Sequence, residues 1–194
     1  MNGLGGVRPT PATPEPPAPT SPSAKGFSQS SNHSSEKQAE RRQRGADFQE
    51  EIRRSWSLIP NSWRMRISDD CGSRPADEIV VTPDFTALFE LKRKSKLRLG
   101  LSDIRPSQIK GLWDYERIGG RNHGVILVSF LNSFTDEAYG MQIKWFLHRM
   151  EHTGLNYVTI NEMRAMVRGV KLPRLSIDGK PGYDLRELVK WLSA

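Results

Sequence analysis

The chain has 194 residues, a formal net charge of +7 and an isoelectric point near 9.8. This basic balance favours a polyanionic partner, either nucleic acid or an acidic membrane surface. No apolar run approaches the length that spans a membrane, and the N-terminus lacks the apolar core of a signal peptide. Cys71 is the single cysteine, which excludes an intrachain disulfide and a zinc site built on cysteines, so we expect a cytoplasmic protein.

The first part of the chain has the composition of a disordered segment. Pro, Ser, Thr and Ala dominate residues 1–38, and large apolar side chains are almost absent. Such a segment cannot bury enough apolar surface to offset its chain entropy. We therefore expect a tail over residues 1–38, which is a linker, a partner-binding arm or simply solvated chain, and one folded domain over residues 39–194.

The folded domain begins with a predicted helix. Residues 36–56, EKQAERRQRGADFQEEIRRSW, place Phe48, Ile52 and Trp56 on one face at helical spacing. A short strand is predicted after it at residues 64–67.

The stretch DEIVVTPDFTALFELKRK, residues 77–94, predicts a β-hairpin. Its first half is rich in Ile and Val, and Pro83-Asp84 is a turn signal because Pro fixes φ and Asp bonds its own backbone. If these two residues form the centre of the turn, the numbers of any two opposing residues add up to 167, as 83 and 84 do. Asp77 then faces Glu90 across the hairpin. A slip of one residue would place the two carboxylates on opposite faces.

Side-chain alternation along the second strand gathers charged groups on one face. Glu90 and Lys92 share a face and Leu91 points the other way, so Asp77, Glu90 and Lys92 cluster. Facing carboxylates repel each other, and a cation that prefers oxygen ligands, such as Mg²⁺, would remove the repulsion. The alternative is a surface hairpin with a polar face, in which Lys92 pairs with Glu90.

The second half of the chain alternates between helix and strand signals. A helix is predicted from Pro106, with its end at Gly119-Gly120. The apolar run at residues 123–130 predicts a buried strand, and residues 137–143 predict the strand beside it. Three more helices are predicted over residues 144–152, 159–167 and 184–192. The fold class is therefore α/β or α+β, with a mixed β-sheet flanked by helices.

A carboxylate, an E-x-K sequence and a helix with a glutamine follow one another in this chain. In that order they resemble the PD-(D/E)XK nuclease superfamily, and more narrowly the RecU-type Holliday junction resolvases and their phage relatives. The matching segments are RGADFQEEI at 44–52, PAD at 75–77, FELK at 89–92, PSQIKGL at 106–112 and GVILVSF at 124–130. The resemblance covers roughly residues 40 to 192 and implies a restriction-endonuclease-like fold.

The resemblance also implies a role for each residue of the motif. Asp77 and Glu90 would hold Mg²⁺, for which Mn²⁺ can substitute, with help from the Leu91 carbonyl. Lys92 would position or activate the attacking water and stabilise charge at phosphorus. Gln108 would orient the water or a phosphate oxygen. The reaction implied is in-line hydrolysis of a DNA phosphodiester bond.

The substrate and the assembly are implied in the same way. A resolvase acts on branched or four-way junction DNA, and two symmetric cuts imply a homodimer. The resemblance points to a bacterial cell and to a phage or prophage gene. Two other functions stay open: a different nuclease of the superfamily, such as a nickase or exonuclease, and a DNA-binding protein that has lost catalysis.

The first helix departs from the family pattern. The family has a glutamate directly after the aromatic residue of a G-x-x-F-E pattern, and here that position is Gln49. Glu50, one residue further on, is the predicted substitute as a metal ligand, and the alternative is solvated charge. A second departure concerns the leading carboxylate, for which Asp84 is an alternative, although it would lie at the tip of the turn.

A basic run adjoins the predicted site. Residues 92–98, KRKSKLR, offer cations to DNA phosphates, and the first helix adds another. The predicted contacts are Arg44, Arg93, Lys94, Lys96 and Arg98. Contacts of this kind give salt-dependent affinity without base specificity. The alternative is a solubilising loop.

Overall fold

The computed structural model describes residues 30–68 and 73–194. Most of the predicted tail, at residues 1–29, lies outside this part of the chain, as does Cys71. The first helix begins at Ser30, before the predicted end of the tail at residue 38, and the division into tail and domain stays a prediction. Once a helix is nucleated, each further residue adds one hydrogen bond, so polar residues upstream of the buried face can extend it.

The described residues form both helices and strands. The helices are α1 (Ser30–Trp56), α2 (Pro106–Arg117), α3 (Ile143–Thr153), α4 (Ile160–Arg164) and α5 (Arg186–Leu192). The strands are β1 (Trp63–Arg66), β2 (Glu78–Val81), β3 (Thr86–Lys94), β4 (Arg98–Gly100), β5 (Asn122–Leu131), β6 (Asp136–Gln142), β7 (Tyr157–Thr159), β8 (Gly169–Leu172), β9 (Arg174–Ile177) and β10 (Lys180–Tyr183). None of these helices is both long enough and apolar enough to cross a bilayer.

A six-stranded sheet forms the centre of the domain, in the order β1-β2-β3-β5-β6-β8. β3 and β5 run parallel, and the other neighbouring pairs of this sheet are antiparallel. The chain crosses from β3 to β5 through α2, as a parallel pair requires. The predicted mixed α/β architecture is therefore confirmed. Two small ribbons, β4-β7 and β9-β10, accompany the sheet.

The sheet has a hydrophobic core on each side. On one side, here called the α1 face, Phe89 and Leu127 pack with Phe48 and Ile52 of α1 and with α5. The predicted apolar face of α1 is confirmed, since Phe48, Ile52 and Trp56 are all buried. On the other side, here called the α2 face, the core is formed by the sheet with α2 and α3.

Two glycines let α2 lie unusually close to its neighbours. A Cβ atom on Gly111 would come within 2.7 Å of the Cα and carbonyl oxygen of Pro75. A Cβ atom on Gly124 of β5 would come within 2.8 Å of the carbonyl carbon of Leu112. Real Cβ atoms do not approach backbone so closely, so both positions require glycine. The close approach sets the first turn of α2, which holds Gln108, against the sheet.

Candidate active site and nucleic-acid interface

The hairpin of β2 and β3 has the predicted register. Glu78 pairs with Phe89 and Val81 with Thr86, so opposing residue numbers sum to 167. The regular ladder stops at Glu78, although the Asp77 N–H still donates to the Phe89 carbonyl at 2.9 Å. The Asp77 carbonyl in turn accepts a hydrogen bond of 2.9 Å from the Ile67 N–H, so the main chain of Asp77 is bonded on both sides.

The Asp77 carboxylate reaches the main chain of β3. Its Oδ2 accepts a hydrogen bond of 2.8 Å from the main-chain N–H of Leu91. Asp77 is only 4% exposed. The side chain therefore serves as the acceptor for Leu91, and it is close enough to Glu90 for its negative charge to act on that carboxyl.

Glu90 is the most deeply buried carboxylate of the cluster, with no exposed surface. Its Oε2 accepts a hydrogen bond of 2.6 Å from Gln108 Nε2, and its Oε1 lies 2.6 Å from Lys92 Nζ. Oε1 receives no well-directed hydrogen bond from the described residues. The ion pair thus supplies charge compensation without completing the hydrogen bonding of Oε1.

Gln108 has a fixed orientation. Its Oε1 accepts a hydrogen bond of 3.1 Å from the main-chain N–H of Arg105, the residue before α2. The amide NH₂ group is therefore turned towards Glu90. In this arrangement Gln108 positions the buried carboxylate, and its predicted contact with a water or a phosphate oxygen stays a prediction.

Arg74 is a member of the cluster that sequence reasoning missed. Its Nη2 donates to Asp77 Oδ1, and the Arg74 side chain is almost as buried as the carboxylate it contacts. No periodic pattern marks Arg74, because it lies in an irregular segment before β2. The sequence offered one indication of this ion pair, which is the spacing of three residues between Arg74 and Asp77.

The electrostatics of the cluster favour an additional positive charge. Burial, and then the negative charge of Asp77, raise the pKa of Glu90 to about 7, against the lowering effect of Lys92. A buried carboxyl with such a pKa is partly protonated near neutral pH. A cation bound between Asp77 and Glu90 would hold both groups ionised.

The donor set at this point fits Mg²⁺. Mg²⁺ is commonly bound through one or two protein carboxylates together with waters and substrate phosphates. Asp77 and Glu90 supply two carboxylates, and Glu90 Oε1 is left under-bonded by the protein. Within residues 30–68 and 73–194, three or more His, Cys, Asp or Glu side chains do not converge as a metal-binding group. The Leu91 carbonyl as a ligand stays a prediction.

The structure does not bring Glu50 to this cluster. The Glu50 carboxylate pairs with Arg53 at 2.5 Å and with Arg54 at 3.4 Å, both on α1 itself. The hydrogen bond from Arg53 is the main cause that lowers the pKa of Glu50 to about 2. The prediction of Glu50 as a metal ligand is therefore wrong for this arrangement: α1 packs on the opposite face of the sheet from Glu90. Gln49 is partly exposed on the same helix.

A basic cavity of about 620 Å³ adjoins Lys92. Four of the predicted phosphate contacts line it, together with Arg41: Arg44, Lys94, Lys96 and Arg98. Among the described residues of the lining, Asp103 is the one acid, and it pairs with Lys94 at 2.5 Å. The cavity therefore has a large excess of positive charge beside the carboxylate cluster.

Arg93 also borders this cavity, but its guanidinium points away from it. The group donates to Glu51 at 2.5 and 3.1 Å and to Ser129 at 3.2 Å, and it lies 5.1 Å from the centre of the Phe48 ring. The side chain is only 2% exposed. Arg93 is thus a structural residue of the α1 face, and its prediction as a phosphate contact is wrong. Alternation explains why: neighbours of Lys92 on β3 face the other side.

Comparison with known proteins gives a distant structural likeness. No protein-family model matches the chain, and no curated protein matches it. Among solved structures, the chain is similar to Hjc, a Holliday junction resolvase from the archaeal hyperthermophile Archaeoglobus fulgidus. The TM-score is 0.45 at 13% sequence identity, over 62% of this chain and 93% of that chain. Residue roles do not transfer at this level of identity.

Proposed function

We propose that this protein is a metal-dependent DNA endonuclease, and most specifically a Holliday junction resolvase. One observation carries the proposal. Lys92 belongs both to the buried carboxylate cluster, through its 2.6 Å ion pair with Glu90, and to the lining of the basic cavity. A phosphate drawn into the cavity by its cations would therefore meet the carboxylates and the lysine together.

The residues of the cluster would have separate roles that suit phosphodiester hydrolysis. Asp77 and Glu90 would hold Mg²⁺, or Mn²⁺ in its place, and a bound divalent ion supplies Lewis acidity and lowers the pKa of a coordinated water. Lys92 Nζ lies at the border between carboxylates and cavity, where it can donate to an oxygen on which negative charge develops. Gln108 keeps the Glu90 carboxylate in place for this work.

We propose branched DNA as the substrate because the described residues offer contacts to the DNA backbone and none that would read the base sequence. The cavity offers phosphate-binding cations, and the sequence carries no motif that reads base edges. Backbone recognition of this kind suits an enzyme that selects DNA by structure. Two symmetric cuts in a four-way junction would require two copies of the chain, so the proposal includes a homodimer.

A DNA-binding protein without catalysis is the second candidate. Arg74 already supplies a cation to Asp77, and Gln49 replaces the family's glutamate on α1. Both features would weaken metal binding while the basic cavity kept its affinity for DNA. A nickase or an exonuclease of the same superfamily is the other enzymatic alternative.

The test compares cleavage of a four-way junction with cleavage of a linear duplex of the same sequence. Lys92→Ala is the diagnostic variant, and Lys171→Ala is its matched control, because Lys171 is an ion-paired lysine on the edge strand β8. The proposal expects junction cutting by the wild type and by Lys171→Ala, and its loss in Lys92→Ala. Cutting of both substrates would indicate a more general nuclease. Binding without cutting by the wild type would favour the DNA-binding protein.

A further inference from the structure

One wall of the basic cavity is formed by the ribbon of β4 and β7. Its inner side is apolar: Leu99 and Val158 face each other and are fully buried. Its outer side carries Arg98, Gly100 and Tyr157, and all three line the cavity. The ribbon therefore presents one aromatic ring and one guanidinium to the same space as Lys92.

The Tyr157 ring lines the cavity and has a cation beside it. Its direct cross-strand partner is Gly100, which has no side chain to cover the ring. Arg98 lies on the diagonal, and its guanidinium carbon is 5.2 Å from the centre of the Tyr157 ring. A diagonal neighbour on a ribbon reaches this distance when its side chain is long. Tyr157 remains partly exposed.

The cations around the ring are available to a ligand. Within the described part of the chain, Arg98, Lys96 and Arg41 have no ion-pair partner, whereas Lys94 is held by Asp103. An aromatic ring backed by an arginine and surrounded by unpaired cations is the combination that binds single-stranded nucleic acid, with bases on the ring and phosphates on the cations. The bases of a duplex are stacked on each other, so their faces are not available to a ring in the wall of a cavity.

We propose that Tyr157 and Arg98 form a stacking site for one unpaired base, next to the cutting site. This inference rests on the proposed function and names its substrate more closely: DNA with an unpaired or easily unstacked nucleotide beside the scissile phosphate. A cavity of about 620 Å³ has room for a nucleotide, since sites for small molecules measure roughly 300 to 1,000 Å³. Phosphates of the same strand lie on Lys96 and Arg41.

Such a site would determine which phosphate is cut relative to the branch point of the DNA. When a base is held on Tyr157, the neighbouring phosphates of the same strand are positioned near Lys92, because Lys92 lines the same cavity. The enzyme would then recognise a branch point by the base that has left the stack there. No base-edge contact is needed, because every base has a π-face.

The experiment measures binding, not cutting, in EDTA so that no strand is cleaved. The probes are a single-stranded oligonucleotide with 2-aminopurine, a junction with 2-aminopurine at the branch point, and a linear duplex. The variants are Tyr157→Ala, Tyr157→Phe and Arg98→Ala. Trp63→Ala is the matched control, because Trp63 is an exposed aromatic residue (55% exposed) on the edge strand β1.

We expect the wild type to quench 2-aminopurine in the single strand and at the branch point. Tyr157→Ala should weaken single-strand binding by about 5- to 150-fold, the range for loss of one stacked base. Tyr157→Phe keeps the ring and should bind as the wild type does, and Trp63→Ala should change nothing. Duplex affinity should be the same in the wild type, Tyr157→Ala, Tyr157→Phe and Trp63→Ala.

Two results would overturn the inference. One is the absence of 2-aminopurine quenching by the wild type, which does not depend on any variant being folded. The other is an equal loss of duplex and single-strand affinity in Tyr157→Ala and Arg98→Ala, which would mean that the pair has a structural or purely electrostatic role. The proposed function fails separately, if the wild type binds DNA but cuts no junction in Mg²⁺ or Mn²⁺.

Discussion

The side-chain amide of Gln108 donates a hydrogen bond of 2.6 Å to the fully buried carboxylate of Glu90. The carbonyl oxygen of the same amide accepts a hydrogen bond from the main-chain N–H of Arg105. The amide therefore cannot rotate away from Glu90 without losing that bond. The first turn of α2 is thereby coupled to β3. The position of Glu90 depends on how closely this helix lies on the sheet.

The first prediction concerns this hydrogen bond. Gln108→Leu removes the donor and leaves Glu90 Oε2 without a partner, so we expect the free energy of unfolding to fall by about 1–3 kcal/mol at pH 8. At pH 5 Glu90 is protonated and the loss should be smaller. Urea unfolding at the two pH values measures both. Lys110→Ala, on the exposed side of the same helix, should be nearly neutral. Equal losses at the two pH values would argue against a role in holding the carboxylate.

The second prediction concerns the close approach of α2. Gly111→Ala adds a methyl group that overlaps Pro75, so α2 must shift and the contact between Gln108 and Glu90 must loosen. We expect a loss of about 1–3 kcal/mol in the free energy of unfolding, together with reduced cleavage. Gly45→Ala is the control, because a Cβ atom there meets nothing within 4 Å. It should stabilise α1 by about 0.5–1 kcal/mol. Similar effects of the two substitutions would contradict the steric account.

The third prediction concerns pH. Burial raises the pKa of Glu90 to about 7, and burial also raises the pKa of Glu78 to about 7 against the lowering effect of Arg64. Between pH 4.5 and about 7 the folded protein therefore binds more protons than the unfolded chain, so the metal-free protein loses stability as the pH rises through this window. Each carboxyl contributes at most about 3 kcal/mol to this loss.

Two variants separate the contributions of these carboxyl groups. Glu90→Gln and Glu78→Gln should each flatten part of the decline in stability between pH 5 and pH 8, as followed by urea unfolding. Mg²⁺ should reduce only the decline in stability that is due to Glu90. Glu78 is the cross-strand partner of Phe89 and lies with it on the α1 face, away from the proposed metal site. A Glu90→Gln protein with the full wild-type decline would show that Glu90 does not titrate in this range.

The fourth prediction concerns Arg74. Its guanidinium competes with a metal ion for Asp77, so Arg74→Met should bind Mn²⁺ more tightly than the wild type. The same substitution leaves Asp77 buried without its cation, so the metal-free protein should be less stable. Calorimetric titration with Mn²⁺ and urea unfolding measure the two opposite effects. Weaker Mn²⁺ binding by a folded Arg74→Met protein would show that Arg74 supports the metal site.

The fifth prediction separates two neighbouring basic residues. Lys96→Ala removes a cation from the cavity and should weaken DNA binding uniformly, with a salt slope lower by about one ion. Arg93→Ala leaves Glu51 buried beside a single arginine, Arg174, and should lower thermal stability instead. Binding at several salt concentrations and thermal unfolding together test the assignment. A stable Arg93→Ala protein with a reduced salt slope would restore Arg93 as a phosphate contact.

The parts of the site that the sequence predicts are those governed by local rules. A Pro-Asp turn determines the register of the hairpin, and a period of two places Glu90 and Lys92 on one face. Pro106 marks the beginning of α2 and so brings Gln108 to the sheet. The same rule of alternation, applied to Arg93, would have turned that residue away from the cavity.

The parts that the sequence did not predict depend on contacts between distant segments. Arg74 lies in an irregular segment, so its pairing with Asp77 has no periodic signature. β4 and β7 are three-residue strands about sixty positions apart, and only their pairing brings Tyr157 to Arg98. The C-terminal strands β8 to β10 have only four residues each. Gly169 in β8 and Pro181-Gly182 in β10 further obscure the strand signal.

The most direct measurement of the central claim maps the products of an end-labelled four-way junction incubated with the wild-type protein in Mg²⁺ and in EDTA. We expect paired nicks at symmetric positions on two opposing strands in Mg²⁺, and intact strands in EDTA. A junction that is bound by the protein but stays uncut in both Mg²⁺ and Mn²⁺ would show that the protein is not a resolvase. It would mean that Asp77, Glu90 and Lys92 form a structural ion-pair cluster in a DNA-binding protein.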